Sequence, residues 1–503
     1  MERIQLSRSK WWYDPDSPLG PAGGFGAVFA GEGEDGAPVA VKRLHMEAEE
    51  AAHREFRIAE FLMSRDLRYV VPFLDAGQDQ TTSRYFLVMP RAEKSLQDVL
   101  EAEGCVEEHE AASILLAVCN GLREVGDLVH RDLKPGNVLW QDGHWRIADF
   151  GIARFVEEST SLRTLKSCLS PPFAAPEQWR LERSTRATDL YALGCMMYAL
   201  LNGAPPFPGP DVPSFQDQHL SSAPPELVCR NASLRSLASM LLMKSPKARP
   251  SLDRVCRILD RVVVSTTGSG APMAESPLAA AGIKAAEAAS KKDAQSERRR
   301  IELERRQNLA RDGLASLNRL VQTLLERIQD QAPPAECARS PAHYLEAHLL
   351  AGDLEIMLLQ DEQHMMPEHA FRSSTWDVVL GAIIAVRQKE NPYMWAANLW
   401  FGRIPGDDAY RWWEVGYMSH PVAERRRRDA PFAVDQKRMD EADEAASPGM
   451  NTVQFAYGPV AVDGEHSEAF FDRWCRLFAH AAQEELRRPR TLPIRDIDRY
   501  LKD

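Results

Sequence analysis

The stretch His130-Arg131-Asp132-Leu133-Lys134-Pro135-Gly136-Asn137, followed by Asp149-Phe150-Gly151, constrains this chain more than any other feature. It sets two acids, a lysine and an amide at spacings suited to holding a metal and a nucleotide beside a hydroxyl. Asp132 is placed to accept the proton of an attacking alcohol. Lys134 can neutralise charge on a moving phosphoryl group, and Asn137 and Asp149 can ligate magnesium. Asp149-Phe150-Gly151 alone is weak evidence; the two motifs in this order and at this distance exclude an incidental acidic loop.

Upstream lies a glycine-rich segment, Leu19-Gly20-Pro21-Ala22-Gly23-Gly24-Phe25-Gly26-Ala27-Val28. Glycines let backbone amides approach a phosphate where a Cβ would clash. The short strand Val39-Ala40-Val41-Lys42 then ends in a lysine that can reach the α- and β-phosphates. A buried lysine needs a counter-charge. Glu55, in the helical stretch 51–63, is the natural partner, with Glu60 as the second choice.

With these residues in place, positions 10–260 resemble a eukaryotic-like (Hanks-type) serine/threonine protein kinase domain of the kind found in bacteria. The resemblance implies an α+β, bilobal protein-kinase fold that binds ATP with Mg²⁺ (or Mn²⁺) and phosphorylates proteins. Phe86 to Ala92 resembles the strand and hinge that hold adenine, with Met89 as gatekeeper and Pro90 and Ala92 presenting backbone groups. Gly23, Gly24, Gly26, Val28, Ala40 and Lys42 complete the implied ATP site. Glu177 matches the Ala-Pro-Glu motif, Asp189 the aspartate that anchors the catalytic-loop backbone, and Arg249 the arginine that pairs with Glu177; these three are structural. Two departures stand out. Pro21 occupies the first expected glycine position, which makes Gly23 and Gly26 safer assignments than Gly20. Leu169 replaces the glycine of the usual Gly-Thr-Pro, while Ser170 keeps the hydroxyl that the family directs at Asp132 and Lys134. Lys134, two residues after Asp132, implies a serine or threonine acceptor.

Arg131 implies a switch in which an activation-loop phosphate docks on that arginine. The candidates are Thr164 and Ser167, with Ser159, Thr160 and Ser161 as alternatives. A polar loop without a switch is the competing reading. For the chain as a whole the alternative to an active, autophosphorylating kinase is a pseudokinase scaffold that binds nucleotide or partners without transferring phosphate.

The 503 residues exceed one typical core. We divide them into a kinase domain at 10–262, a flexible linker at 263–291, a long amphipathic or coiled-coil helix at 292–331, and a small C-terminal α+β sensor or interaction domain at 335–503. In the helix, Leu303, Ala310, Leu314, Leu317, Val321, Leu324 and Ile328 recur at alternating four- and three-residue steps. The stripe fits either a coiled coil, hence a homodimer, or a single helix packed on the next domain. In the last segment, 344–359 reads as helix; 376–386, 393–401, 410–418 and 453–457 read as strands; 470–486 reads as a closing helix. Trp395, Trp400, Trp412, Trp413 and Trp474 read as core instead of a ligand cage.

A net charge of −12 gives no reason to expect nucleic acid as a partner. Eight cysteines without a Cys-x-x-Cys pair, and scattered histidines, argue against a zinc site and a disulfide framework. No apolar segment reaches the length of a membrane span, and the N-terminus lacks a signal core, so a cytoplasmic protein acting on protein substrates is expected.

Overall fold

A computed structural model describes residues 1–20, 26–44, 57–150, 154–155, 169–266, 277–340, 343–359, 366, 371, 375–391, 394–420, 431–447, 449, 451–489 and 491–497. The chain divides into two units, Met1–Arg300 and Ile301–Asp503.

The first unit opens with a six-stranded antiparallel sheet. Its strands are β1 (Glu2–Gln5), β2 (Lys10–Pro18), β3 (Gly26–Gly33), β4 (Pro38–Leu44), β5 (Asp75–Gln78) and β6 (Tyr85–Pro90), in the order β1-β2-β3-β4-β6-β5. Register decides what the two faces carry, because directly opposed residues share a face and neighbours alternate. Val28 opposes Lys42, Ala30 opposes Ala40, Ala40 opposes Met89, and Lys42 opposes Leu87. Val28, Ala40, Lys42 and Met89 therefore lie on one face. The other face holds Phe29, Val39, Val41, Phe86 and Val88, which pack with Ile4, Leu6 and Tyr13 in a core of their own. Residues 2–5 thus form the edge strand of this sheet, and residues 6–9 make the turn into β2. Asp75, fully buried, holds their turn by accepting from Ser7 Oγ, the Arg8 and Ser9 amides and Trp11 Nε1.

After β7 (Lys94–Ser95) the unit becomes mainly helical, with α1 (Leu96–Glu103), α2 (Glu108–Glu124), β8 (Leu128–Val129), β9 (Val138–Gln141), β10 (His144–Ile147), β11 (Arg154–Phe155), α3 (Pro176–Trp179), α4 (Arg186–Asn202), α5 (Val212–Ser221), α6 (Ala232–Leu241) and α7 (Leu252–Thr266). Helix α4 is buried on every side from Thr188 to Leu200, as an all-round apolar helix must be. Thr185 caps its N-terminus, and Gly203 at φ +75° ends it in the left-handed region.

Helix α8 (Pro277–Gln331) starts earlier than the sequence reading placed it: residues 277–291, read as linker, are helical, as their alanine content favours. Asp293 accepts from the backbone amides of Lys244 and Ser245, and Glu297 pairs with Arg180.

The second unit is a seven-stranded antiparallel sheet in simple sequence order. It comprises β12 (Glu336–Ala338), β13 (His343–Leu349), β14 (Gly352–Leu358), β15 (Asp377–Gln388), β16 (Met394–Ile404), β17 (Asp407–Ser419) and β18 (Val453–Ala461), with α9 (Met439–Ala446) and α10 (Ser467–Ala482). The expected helix at 344–359 is instead the β13–β14 hairpin. Its apolar residues alternate (Leu345 and Ala347, then Leu354 and Ile356), and Leu350, at φ +51°, makes the turn. Along one face Ala347 meets Leu354, Ile356 meets Ile384, and Val386 meets Trp395. Leu317, Val321, Leu324 and Ile328 of α8 and Trp474 and Leu477 of α10 belong to the same core. The heptad stripe is therefore buried within its own unit, the second of the two readings, while Leu303 stays 50% exposed. All five tryptophans named above are buried, and each indole N–H has an acceptor. Among the described residues no helix is long and apolar enough to cross a membrane.

Candidate active site

The loop between β8 and β9 carries the residues of the opening motif. Fully buried Asp189, near the start of α4, accepts the amide hydrogens of His130 at 3.0 Å and Arg131 at 2.8 Å. His130 Nε2 lies 2.9 Å from the carbonyl of Ala148, which can only accept. The ring proton therefore sits on Nε2, and Nδ1 takes the amide hydrogen of Asp132 at 3.3 Å. Two residues here adopt left-handed backbone, Arg131 at φ +72° and Asp149 at φ +60°. Such conformations cost a residue with a Cβ and persist only where neighbours enforce them.

Asp132 is the centre of a polar network. Its Oδ1 accepts from Ser170 Oγ at 2.6 Å, and its Oδ2 faces Lys134 Nζ at 2.8 Å and Asn137 Nδ2 at 3.2 Å. Lys134 Nζ also donates to Ser170 Oγ at 2.9 Å. Asn137 Nδ2 spends its second hydrogen on the Asp132 carbonyl at 2.8 Å. What Asn137 offers outward is thus its amide oxygen, a hard donor of the kind magnesium takes.

Lys42, 6% exposed, meets Asp149 Oδ1 at 2.7 Å. The surrounding chain pushes the Asp149 carboxyl up by removing it from water, but the charge and hydrogen bond of Lys42 outweigh this and hold it at about 2. Asp149 is therefore ionised at neutral pH while keeping 44% of its side chain exposed, as a metal ligand must. The oxygen donors of Asn137 and Asp149 thus fit a divalent metal. The Ala148 amide donates to the Asn137 carbonyl at 2.9 Å and holds the two segments together.

Behind this network Glu177 and Arg249 form a two-pronged pair at 2.7 and 2.9 Å, with Thr188 Oγ1 donating to the same carboxylate at 2.8 Å. Burial pushes Glu177 up, and Arg249 more than reverses this, leaving it below the usual carboxylate range. The neighbouring Gln178, which sequence reasoning passed over, is 2% exposed and joins Ala175 to the carbonyl of Arg131. Its identity gave no signal, because an uncharged side chain after Ala-Pro-Glu carries no obvious chemistry.

Val28, Ala40, Met89, Pro90 and Ala92 are partly buried around the β3–β4–β6 face. Gly26 has a structural reason to be glycine: a Cβ there would come 2.3 Å from the carbonyl oxygen of Arg43. Gly23, Gly24, Glu55, Thr164, Ser167 and Ser159 to Ser161 lie outside the described residues; Glu60 is exposed.

The protein kinase domain family matches residues 13–259. The chain is 35% identical over 224 residues to the probable serine/threonine-protein kinase PknB of Corynebacterium glutamicum, covering 42% of this chain and 34% of that protein. It is 35% identical over 253 residues to the serine/threonine-protein kinase pkn2 of Myxococcus xanthus (46% and 30%), and 32% identical over 261 residues to PkaA of Streptomyces coelicolor (50% and 47%). The matched part therefore spans about a third to a half of these relatives. Its fold, its polar network and these relatives place the first unit in the eukaryotic-like (Hanks-type) family of bacterial serine/threonine protein kinases.

Proposed function

We propose that the chain is an active protein serine/threonine kinase, transferring the γ-phosphoryl group of magnesium-bound ATP to serine or threonine hydroxyls of proteins, itself included. The observation that carries this is the Asp132 network. One carboxylate is held by Ser170, Lys134 and Asn137, yet its side chain remains 14% exposed, and that of Lys134 34%. Asp132 orients the acceptor hydroxyl and takes its proton as the new bond forms. Lys134 places positive charge beside the same carboxylate, where phosphate charge develops. Lys42 anchors the nucleotide phosphates, and the face bearing Val28, Ala40 and Met89 receives the adenine, read at its edge by the backbone of Pro90 and Ala92. Asn137 and Asp149 hold the metal, which when bound neutralises phosphate oxygens. The chain's own contribution is positioning and charge placement.

We assign the second unit to regulation. Its support is helix α8. Asp293 and Glu297 tie its first part to the segment around Arg180 and Lys244. Farther along, Ser316, Arg319 and Thr323 line a cleft of about 710 Å³ with Tyr410, Arg411 and Asp463. A small ligand in that cleft would bear on the helix.

Lys42→Met should abolish transfer from labelled ATP, and a chelator of divalent metal should stop the unaltered chain. Full activity in either condition contradicts the assignment.

A further inference from the structure

We propose that Gln178 is a positioning residue for this reaction, fixing the peptide group that leads into Asp132. The inference rests on the reading of Asp132 as the group that orients the acceptor hydroxyl. The Gln178 amide oxygen accepts from the Ala175 amide at 2.9 Å, and its Nε2 donates to the carbonyl oxygen of Arg131 at 2.8 Å. That carbonyl belongs to the same peptide group as the nitrogen of Asp132. The hydrogen on that nitrogen goes to Nδ1 of His130. Both polar atoms of the Arg131–Asp132 peptide are thus held, its oxygen by Gln178 and its nitrogen by His130. On the other side of Arg131, its own amide is held by Asp189.

The clamp matters because Arg131 is at φ +72°. Without a donor on its carbonyl, the peptide keeps only the His130 contact on its nitrogen, and the cost of the positive φ favours a rotation that carries Asp132 with it. Ser170, Lys134 and Asn137 grip the carboxylate; Gln178 grips the backbone from which it hangs. The residue type follows from the partners. A buried carbonyl needs a donor and a buried amide needs an acceptor, and a neutral carboxamide supplies one of each. An ionised glutamate supplies only acceptors.

The test measures kcat and the KM for ATP of the full chain with casein as acceptor, for Gln178→Met, Gln178→Glu and Asp132→Asn. Gln178→Met should lose about tenfold or more in kcat, as small misplacements of catalytic groups do, with the KM for ATP little changed. Gln178→Glu should be as slow at high pH. It should recover relative to the unaltered chain as pH falls, because burial raises the pKa of a carboxyl and the protonated form can donate to the Arg131 carbonyl. An unchanged kcat in Gln178→Met, a parallel loss of kcat and ATP affinity, or a pH-independent ratio for Gln178→Glu would overturn the proposal. Asp132→Asn separates the two claims. If it is fully active, the reading of Asp132 itself fails. If it is inactive while Gln178→Met is normal, only the role of Gln178 fails.

Discussion

Glu177 and Arg249 in the first unit, and Glu414 and Arg473 in the second, are buried carboxylate–guanidinium pairs with no side chain more than 1% exposed. Their surroundings differ. The next residue after Glu177 is Gln178, whose amide leads to Arg131 and so to the partly open network around Asp132. Glu414 is closed over by Tyr457 Oη at 2.8 Å and Trp474 Nε1 at 3.2 Å, and sits in a core of tryptophans. A buried ion pair alone is thus no sign of a reaction. What distinguishes the first unit is that its buried groups lead to a partly exposed acid and lysine, Asp132 and Lys134.

The largest expected effect comes from breaking both pairs in turn. Glu177→Gln and Glu414→Gln should each destabilise their unit by about 3–5 kcal/mol, the usual cost of leaving one buried charge without its partner, measured by denaturant unfolding of the full chain. Glu177→Gln should also slow phosphate transfer per folded molecule, whereas Glu414→Gln should not. Equal kinetic losses in both would erase the contrast.

A smaller effect sharpens the account of α8. Leu317→Ala should cost about 2–5 kcal/mol as a core truncation, while Leu303→Ala should stay within about 0.5 kcal/mol as a surface change. The same melts decide this. Equal costs at both positions would mean that the stripe faces something other than its own sheet.

The smallest effect is a pH dependence confined to the first unit. Burial pushes the Lys244 ammonium down to about 7, with Arg249 and Arg180 adding to the shift against Cys195 and Asp293. Between that value and its ordinary one of 10.5, the unfolded chain holds a proton that the folded chain has released. Stability therefore rises with pH across that window. Relative to Lys244→Met, the unaltered chain should gain stability from pH 7 to 9. A difference that stays constant with pH would show that Lys244 remains charged.

The first unit was far more legible in the sequence than the second. Asp132, Lys134 and Asn137 lie within one short loop, so their spacing alone brings them together, as the structure does. The contact of Ser170 with Asp132 joins residues distant in sequence, and the expectation of it came from family resemblance. Gln178 escaped because its task is to satisfy two backbone groups, which leaves no chemical mark. In the second unit the helix expected at 344–359 is a hairpin, although Leu, Ala, Glu and Met favour helices in isolation. There the close approach of α10 to Gly352, where a Cβ would meet the Ala482 nitrogen at 2.7 Å, and pairing along β13–β14–β15 decide for strand.

The most direct measurement is incubation of the full chain with γ-labelled ATP and a divalent metal, followed by identification of the labelled amino acid, for the unaltered protein and Asp132→Asn. The account predicts label on serine or threonine in the first and none in the second. Equal labelling by Asp132→Asn, or no labelling by the unaltered chain, would contradict it.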